Sequence, residues 1–127
     1  MIAYVDSSVL LDRAIALANG AAPPLMTAQG RASLVTSALT QVEVWRVLRR
    51  LGRVDQLSER AETALTDVSL LDVGAATLSA AAQLPVRYLK SLDAIHVASA
   101  LITRCDVVLT RDRQMARACE ELGLQVA

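Results

Sequence analysis

The sequence predicts an α/β domain in which a central parallel sheet of about five short strands is covered by helices on both faces. Two observations support this prediction. Short apolar runs rich in β-branched residues alternate with longer stretches of helical character, as expected of successive strand–helix units. The runs are also apolar on consecutive residues, which is typical of strands buried on both faces. A three-layer sandwich is therefore expected.

Five segments are predicted as strands because each is short and apolar and most of their residues favour extended structure. They are Ile2–Val5, Leu34–Thr36, Val68–Val73, Val107–Leu109 and Leu124–Val126. Helical stretches separate most of them along the chain, so neighbouring strands can run parallel.

Six stretches are predicted as helices, since apolar residues recur in them every three or four positions. They run from Ser7 or Ser8 to about Leu17, and then over about 40–51, 55–65, 75–84, 92–103 and 112–122. Gly52 and Gly123 are placed to end the second and the last, because glycine readily adopts the left-handed conformation that follows a helix.

The composition indicates one domain spanning residues 1–127, with 54% hydrophobic residues for its core. Only 2% of the residues are aromatic, so we expect Leu, Val, Ala and Ile to fill that core. No apolar run reaches the roughly 18 residues of a membrane span, and the first residues lack the basic and apolar regions of a secretory leader. We expect a cytoplasmic protein.

The charge balance bears on possible partners. Basic and acidic residues number 13 each, which gives a formal net charge of +0. The strongly basic balance that promotes nucleic-acid binding through phosphates is absent. An RNA substrate would therefore have to be held by a local site.

Four of the 13 acids fall where a parallel sheet would bring them together. Asp6 directly follows the first strand and Asp112 follows the fourth, while Glu43 and Asp93 lie near the starts of helices. Ligands bind beyond the carboxyl ends of such strands. Carboxylates that cluster repel each other unless a cation neutralises them, and an all-oxygen site suits Mg²⁺ or Mn²⁺.

Each acid also has a structural interpretation. Asp93 can favour the helix dipole and Asp112 can cap a helix. Glu43, three residues after Thr40, fits a capping box. Asp6 has no evident structural partner. His96 lies on the same helical face as Asp93, where it can donate to the acidic site, pack structurally or lie at the surface.

The segments around these acids resemble the motifs of the PIN-domain family. Residues 4–10 (YVDSSVL), 39–44 (LTQVEV), 92–100 (LDAIHVASA) and 107–112 (VVLTRD) are similar to four family motifs, in the family's order and spacing. A single-domain chain of this layout most resembles the VapC-type toxins of type II toxin–antitoxin systems. Two departures are His96 and a long connection over residues 21–32, which suggests a flap or an extra helical turn.

The resemblance implies a metal-dependent endoribonuclease. It implies that Mg²⁺, or Mn²⁺ in its place, is held mainly by Asp6 and Asp93, with Glu43 and Asp112 completing the acidic cluster. Ser7 and Thr110 are candidates for orienting the carboxylates by hydrogen bonds. The cations that can guide the RNA backbone, or simply be solvated, are Arg87, Lys90, Arg111 and Arg113.

The resemblance also implies protein partners. A nuclease that attacks its own cell's RNA must be held inactive, so we expect a small antitoxin, and we also expect a homodimer. Leu11, Trp45 and Leu48 are predicted to help form the antitoxin groove, although core packing is the alternative for Trp45.

Two other functions fit the sequence less well. A phosphorelay receiver would need an acidic pair after the first strand and a lysine after the last, and both are missing. A haloacid-dehalogenase phosphatase would need Asp-x-Asp, but Ser8 occupies the second acidic position. The remaining alternative is a PIN-fold RNA-binding or interaction module with little nuclease activity.

Overall fold

A computed structural model describes residues 1–20, 32–52 and 57–127. Within these residues, four strands form one sheet: β1 (Ile2–Val5), β2 (Ser33–Ser37), β3 (Val68–Leu71) and β4 (Val107–Leu109). Their order is β3-β2-β1-β4, and all three pairings are parallel. The predicted α/β fold with a parallel sheet is therefore confirmed.

The fifth predicted strand, Leu124–Val126, is reduced to a single parallel bridge between Val126 and Val108. Two backbone hydrogen bonds accompany that bridge, from the Val108 N–H to the Gln125 carbonyl (2.8 Å) and from the Ala127 N–H to the Val108 carbonyl (3.0 Å). The segment therefore extends the edge of β4 over too short a distance to count as a strand.

The helices follow the predicted order. They are α1 (Ser7–Ala18), α2 (Leu39–Arg50), α3 (Leu57–Ala64), α4 (Ala75–Ala82), α5 (Ser91–Thr103) and α6 (Arg113–Glu121). The predicted start of the third helix at Asp55 lies outside the described residues, as does the 21–32 connection apart from Ala32. No helix of the described parts is both long and apolar enough to cross a membrane.

The helices cover both faces of the sheet, as predicted. Successive side chains of a strand point to opposite faces. Ala3 and Val5 accordingly pack into one buried cluster with residues of α1, α2 and α3, whereas Tyr4 packs into another with residues of α5 and α6. Burial of strands on both faces explains why their sequences are apolar on consecutive residues.

Strand β3 departs from this pattern. Its central residues, Ser69 and Leu70, are exposed, with 40% of Leu70 accessible to solvent. The strand lies at the edge of the sheet, and it ends at Leu71, two residues before the predicted end at Val73. An apolar run alone does not distinguish a central strand from an edge strand.

The strand order creates a switch point beside β1. The chain passes from β1 to β2 and β3 in one direction, and β4 then returns to the other side of β1. In an open parallel sheet, the crevice beyond the carboxyl ends at such a point is the usual ligand site. Asp6 follows β1 and Asp112 follows β4, so both acids lie at this crevice.

Candidate active site

Asp6 is a buried carboxylate held at the end of β1. Its backbone N–H donates to the Leu109 carbonyl (2.9 Å), which continues the pairing of β1 with β4. The side chain is 3% exposed, and its Oδ2 accepts hydrogen bonds from the hydroxyls of Ser8 (2.7 Å) and Thr110 (2.8 Å). Two donors to one oxygen compensate part of the cost of burying this charge.

The same hydroxyls shape the loop after β4. Ser8 Oγ accepts from the Arg111 N–H (3.0 Å), and Thr110 Oγ1 accepts from the Asp112 N–H (3.1 Å). The start of α1 and the end of β4 are thereby joined around the Asp6 carboxylate.

The Glu43 carboxylate, on α2, is contacted by side chains of two other helices. The Ser7 hydroxyl of α1 donates to Oε2 (3.1 Å), and His96 Nε2 of α5 lies 2.7 Å from Oε1. The capping-box interpretation of Glu43 is wrong, because α2 begins at Leu39 without a side-chain cap. The Thr40 hydroxyl instead lies 2.8 Å from the Thr36 hydroxyl, in the buried interior.

Asp93 lies in the first turn of α5 and is partly buried. Burial is the main cause that raises the pKa of its carboxyl, and the charges of Asp112 and Asp6 raise it further. His96 lowers this pKa, and Glu43 has a smaller raising effect. The hydrogen bonds of Thr110, Ser7 and His96 connect the chain segments that carry the four predicted acids.

Asp112 caps helix α6. Its Oδ1 accepts from the backbone N–H groups of Gln114 (2.9 Å) and Met115 (3.2 Å). The cap fixes where the carboxylate lies, and its other oxygen is left for a further contact.

Three residues at the site were missed or undervalued by the sequence analysis. Ser8 contacts Asp6 together with the predicted Thr110, while the predicted Ser7 donates to Glu43. Tyr4 lies behind the site with its hydroxyl 2.7 Å from His96 Nδ1. His96 is 1% exposed, so a surface position for it is wrong. The sequence signal that could have placed His96 at the site was its position three residues after Asp93, on the same face of the helix.

Comparison with known proteins supports the family resemblance. The family model described as "PIN domain" matches residues 3–121, which include all four acids. This chain belongs to the PIN-domain family.

Two curated relatives of this PIN domain come from Mycobacterium tuberculosis. Ribonuclease VapC47 is 33% identical over 94 residues, which cover 72% of this chain and 68% of the relative. Ribonuclease VapC35 is 32% identical over 96 residues, with 72% and 70% covered.

Solved structures share the fold. VapBC2 from Rickettsia felis, solved with a promoter DNA fragment, gives a TM-score of 0.71 at 10% identity, with 100% of this chain and 98% of that chain covered. A toxin–antitoxin complex from Klebsiella pneumoniae gives 0.62 at 23% identity, with 90% and 89% covered.

The donor set of this PIN domain fits a hard divalent cation. All four candidate ligands are carboxylates, and Mg²⁺ is usually bound through one or two carboxylates while it keeps several waters. No group of three or more His, Cys, Asp or Glu side chains in the described residues is close enough to hold an ion.

The cations proposed to guide RNA are all exposed: Arg87, Lys90, Arg111 and Arg113. Arg111 forms an ion pair with Asp12, and both side chains are more than half exposed. Such surface pairs contribute little to stability, so the pair leaves the Arg111 guanidinium available at the mouth of the site.

The predicted groove residues differ in their exposure. Leu11 and Trp45 are half-buried and pack against the cluster of α1, α2 and α3. Leu48 is fully buried in that cluster, so it offers no surface to a partner and its assignment to a groove is wrong. Its position on the core-facing side of α2 explains the error.

Proposed function

We propose that this PIN domain is a Mg²⁺-dependent endoribonuclease that hydrolyses RNA phosphodiester bonds in the cytoplasm and acts as a toxin neutralised by a cognate antitoxin. One observation carries the proposal: hydrogen bonds link the segments of all four acids at the switch point of the sheet. The Thr110 hydroxyl donates to Asp6 and accepts from the Asp112 N–H. Glu43 contacts Ser7, next to Asp6, and His96, three residues after Asp93. The names of the curated relatives, Ribonuclease VapC47 and Ribonuclease VapC35, support RNA as the substrate.

The residues of the site have distinct parts in this reaction. Asp6 and Asp93 would hold the ion, with Mn²⁺ able to replace Mg²⁺. A bound ion lowers the pKa of its water and stabilises charge on the scissile phosphate. The hydroxyls of Ser8 and Thr110 fix Asp6, while Glu43 and Asp112 supply further acceptors for water at the same site.

Substrate positioning is assigned to local cations, since the net charge is +0. Arg87 and Lys90 precede α5, while Arg111 and Arg113 flank the start of α6. They therefore lie close in sequence to Asp93 and Asp112, where they can contact RNA phosphates.

Cleavage of RNA by protein freed of antitoxin tests the proposal. We expect Mg²⁺ or Mn²⁺ to support cleavage and a chelator to abolish it. Asp6→Asn or Asp93→Asn should reduce the rate by at least about 100-fold, because the amide keeps the shape but removes the charge that binds the ion. Circular dichroism should show an unchanged fold.

Glu120→Gln is the matched control. Glu120 is exposed on α6, eight residues beyond Asp112 and therefore roughly 12 Å along the helix. Its amide variant should cleave at the wild-type rate. Undiminished cleavage by Asp93→Asn would refute the metal-site proposal, and RNA binding without cleavage by the wild type would favour the alternative, a binding module.

The antitoxin part of the proposal is supported by the toxin–antitoxin complexes among the structural neighbours. We also propose that the free protein forms a homodimer. Light scattering with size exclusion would measure its mass, and a monomer at micromolar concentration would contradict the dimer without affecting the nuclease proposal.

A further inference from the structure

A buried hydrogen-bond chain runs behind the acidic site. The Ser37 N–H donates to the Tyr4 hydroxyl oxygen (3.2 Å), the Tyr4 hydroxyl lies 2.7 Å from His96 Nδ1, and His96 Nε2 lies 2.7 Å from Glu43 Oε1. Ser37, Tyr4 and His96 are each no more than 1% exposed. The hydrogen bonds connect the end of β2 to α2 through β1 and α5.

The surroundings determine which atoms carry the protons. The Tyr4 oxygen already accepts from Ser37, so its own proton requires an acceptor. Among the described residues, the side chain within hydrogen-bond distance of that hydroxyl is His96, through Nδ1. On the other side of the ring, the Glu43 carboxylate can only accept, so the ring proton lies on Nε2 and Nδ1 is left to accept from Tyr4.

Glu43 then accepts a hydrogen bond on each oxygen. His96 donates to Oε1 and the Ser7 hydroxyl donates to Oε2. Two fixed donors set the plane of the carboxylate. An oxygen that already accepts one hydrogen bond still has a lone pair with which to accept a proton from water.

We propose that Tyr4 and His96, here called the buried pair, are positioning residues that hold Glu43 for contact with a water at the metal site rather than with the metal itself. This inference rests on the proposed nuclease function. A polar ring in the core is costly unless it is hydrogen-bonded. One of the two hydrogen bonds of His96 goes to Glu43, a candidate acid of the site, so the buried ring is tied to the position of that carboxylate.

Two substitutions separate the two ends of the His96 ring. The amide nitrogen of His96→Gln can reach the place of Nε2 and still donate to Glu43. The shorter His96→Asn can reach only the place of Nδ1 and leaves Glu43 without that donor. We expect His96→Asn to lower the cleavage rate by about 10–100-fold, as loss of an outer-sphere partner typically does, and His96→Gln to retain most of it.

A double-mutant cycle with Glu43→Ala tests whether the effect passes through Glu43. If it does, adding His96→Asn to Glu43→Ala changes neither the cleavage rate nor the Mn²⁺ affinity measured by calorimetry. Additive losses, or equal losses in His96→Asn and His96→Gln that follow their unfolding temperatures, would overturn the positioning role.

The tautomer provides a readout that needs neither metal nor RNA. Nitrogen NMR of the wild type should show the His96 proton on Nε2 and an unprotonated Nδ1 that accepts from Tyr4. A proton on Nδ1 would overturn the inference. A wild type that cleaves no RNA would contradict the proposed function alone, because the tautomer and the Mn²⁺ affinity would still decide the role of the buried pair.

Discussion

At the scale of single residues, Asp93 differs from the other three acids in what surrounds its carboxylate. Asp6 accepts from two hydroxyls, Asp112 from two backbone N–H groups, and Glu43 from a hydroxyl and an imidazole. In the described parts of the chain no hydrogen bond reaches the Asp93 side chain, while burial and its neighbours raise its pKa. The charge of Asp93 is therefore the one that the described contacts leave without a hydrogen-bond donor.

We predict that Asp93→Asn stabilises the metal-free protein at neutral pH. The folded-state pKa of Asp93 is raised, so the native state binds more protons than the unfolded state and stability falls as pH rises through that range. The advantage of the amide should be absent below the ordinary Asp pKa and complete above the raised one. Thermal unfolding from about pH 3 to 8 measures it, with the ordinary Asp value near 3.9 as the lower limit.

Glu120→Gln serves as the comparison for this measurement as well, because its exposed carboxylate should give no such pH-dependent gain. An Asp93→Asn variant that is no more stable than the wild type at pH 8 without metal would contradict the repulsion argument. Excess Mg²⁺ should reverse the order, since only the carboxylate gains stability from the bound ion.

Residue by residue, the sequence predicted the acids better than their partners. Asp6 was identifiable because a carboxylate directly after an apolar strand has no local partner. The contact of His96 with Glu43 joins positions 53 residues apart in the chain. Ser8 lies only two residues from Asp6, but its contact depends on how the start of α1 turns beside the end of β1. Those contacts depend on helix rotation and strand order, which periodicity alone does not determine.

At the scale of elements, Asp112 combines a capping role with a candidate metal-site role. The sequence allowed either interpretation, and the structure shows the cap: Oδ1 accepts from the first N–H groups of α6. The two roles are compatible because a carboxylate has two oxygens. A cap also fixes the backbone beside Thr110, whose hydroxyl bonds Asp6.

Substitution at Asp112 separates these roles. We predict that Asp112→Asn leaves the free energy of unfolding nearly unchanged, since Asn caps helices about as well as Asp, whereas Asp112→Ala lowers it by about 1 kcal/mol. Both variants should cleave RNA more slowly if the charge contributes to the metal site. Urea unfolding and cleavage assays on the same preparations measure the two effects. Wild-type cleavage by Asp112→Asn would assign Asp112 to capping alone.

Strand boundaries show where sequence reasoning succeeds and fails. β1 and β4 were predicted at their observed bounds, and β2 is one residue longer at each end. β3 ends earlier than predicted, and residues 124–126 pair with β4 only through a bridge. β1 and β4 were easier to predict because nearly all of their residues are buried, which gives them an unbroken apolar sequence.

At the scale of the whole molecule, the strand order brings the acids together. The sequence indicated that carboxyl ends of parallel strands would share an edge, but it did not give the order β3-β2-β1-β4. Long-range pairing is decided by how helices pack on the sheet, and adjacent sequence contains little of that information. The resemblance to the PIN-domain family supplied the expected convergence of the acids.

The surface beside α2 is where the whole molecule is expected to meet its antitoxin. Trp45 is the only tryptophan of the chain, and it is half-buried against the cluster of α1, α2 and α3. Trp45→Ala would leave a cavity in that packing, so loss of affinity in that variant would not distinguish a contact from a weakened fold. The emission of Trp45 in the intact protein avoids this ambiguity.

We predict that binding of the cognate antitoxin shifts Trp45 emission to shorter wavelength and reduces its quenching by acrylamide, because the partner would exclude water from the exposed part of the indole. Titration to saturation, with size exclusion to verify the complex, provides the measurement. Trp45→Phe supplies the blank for any fluorescence of the antitoxin, and it fills most of the same volume. Unchanged emission and quenching in a verified complex would place the antitoxin away from Trp45, while leaving the nuclease proposal intact.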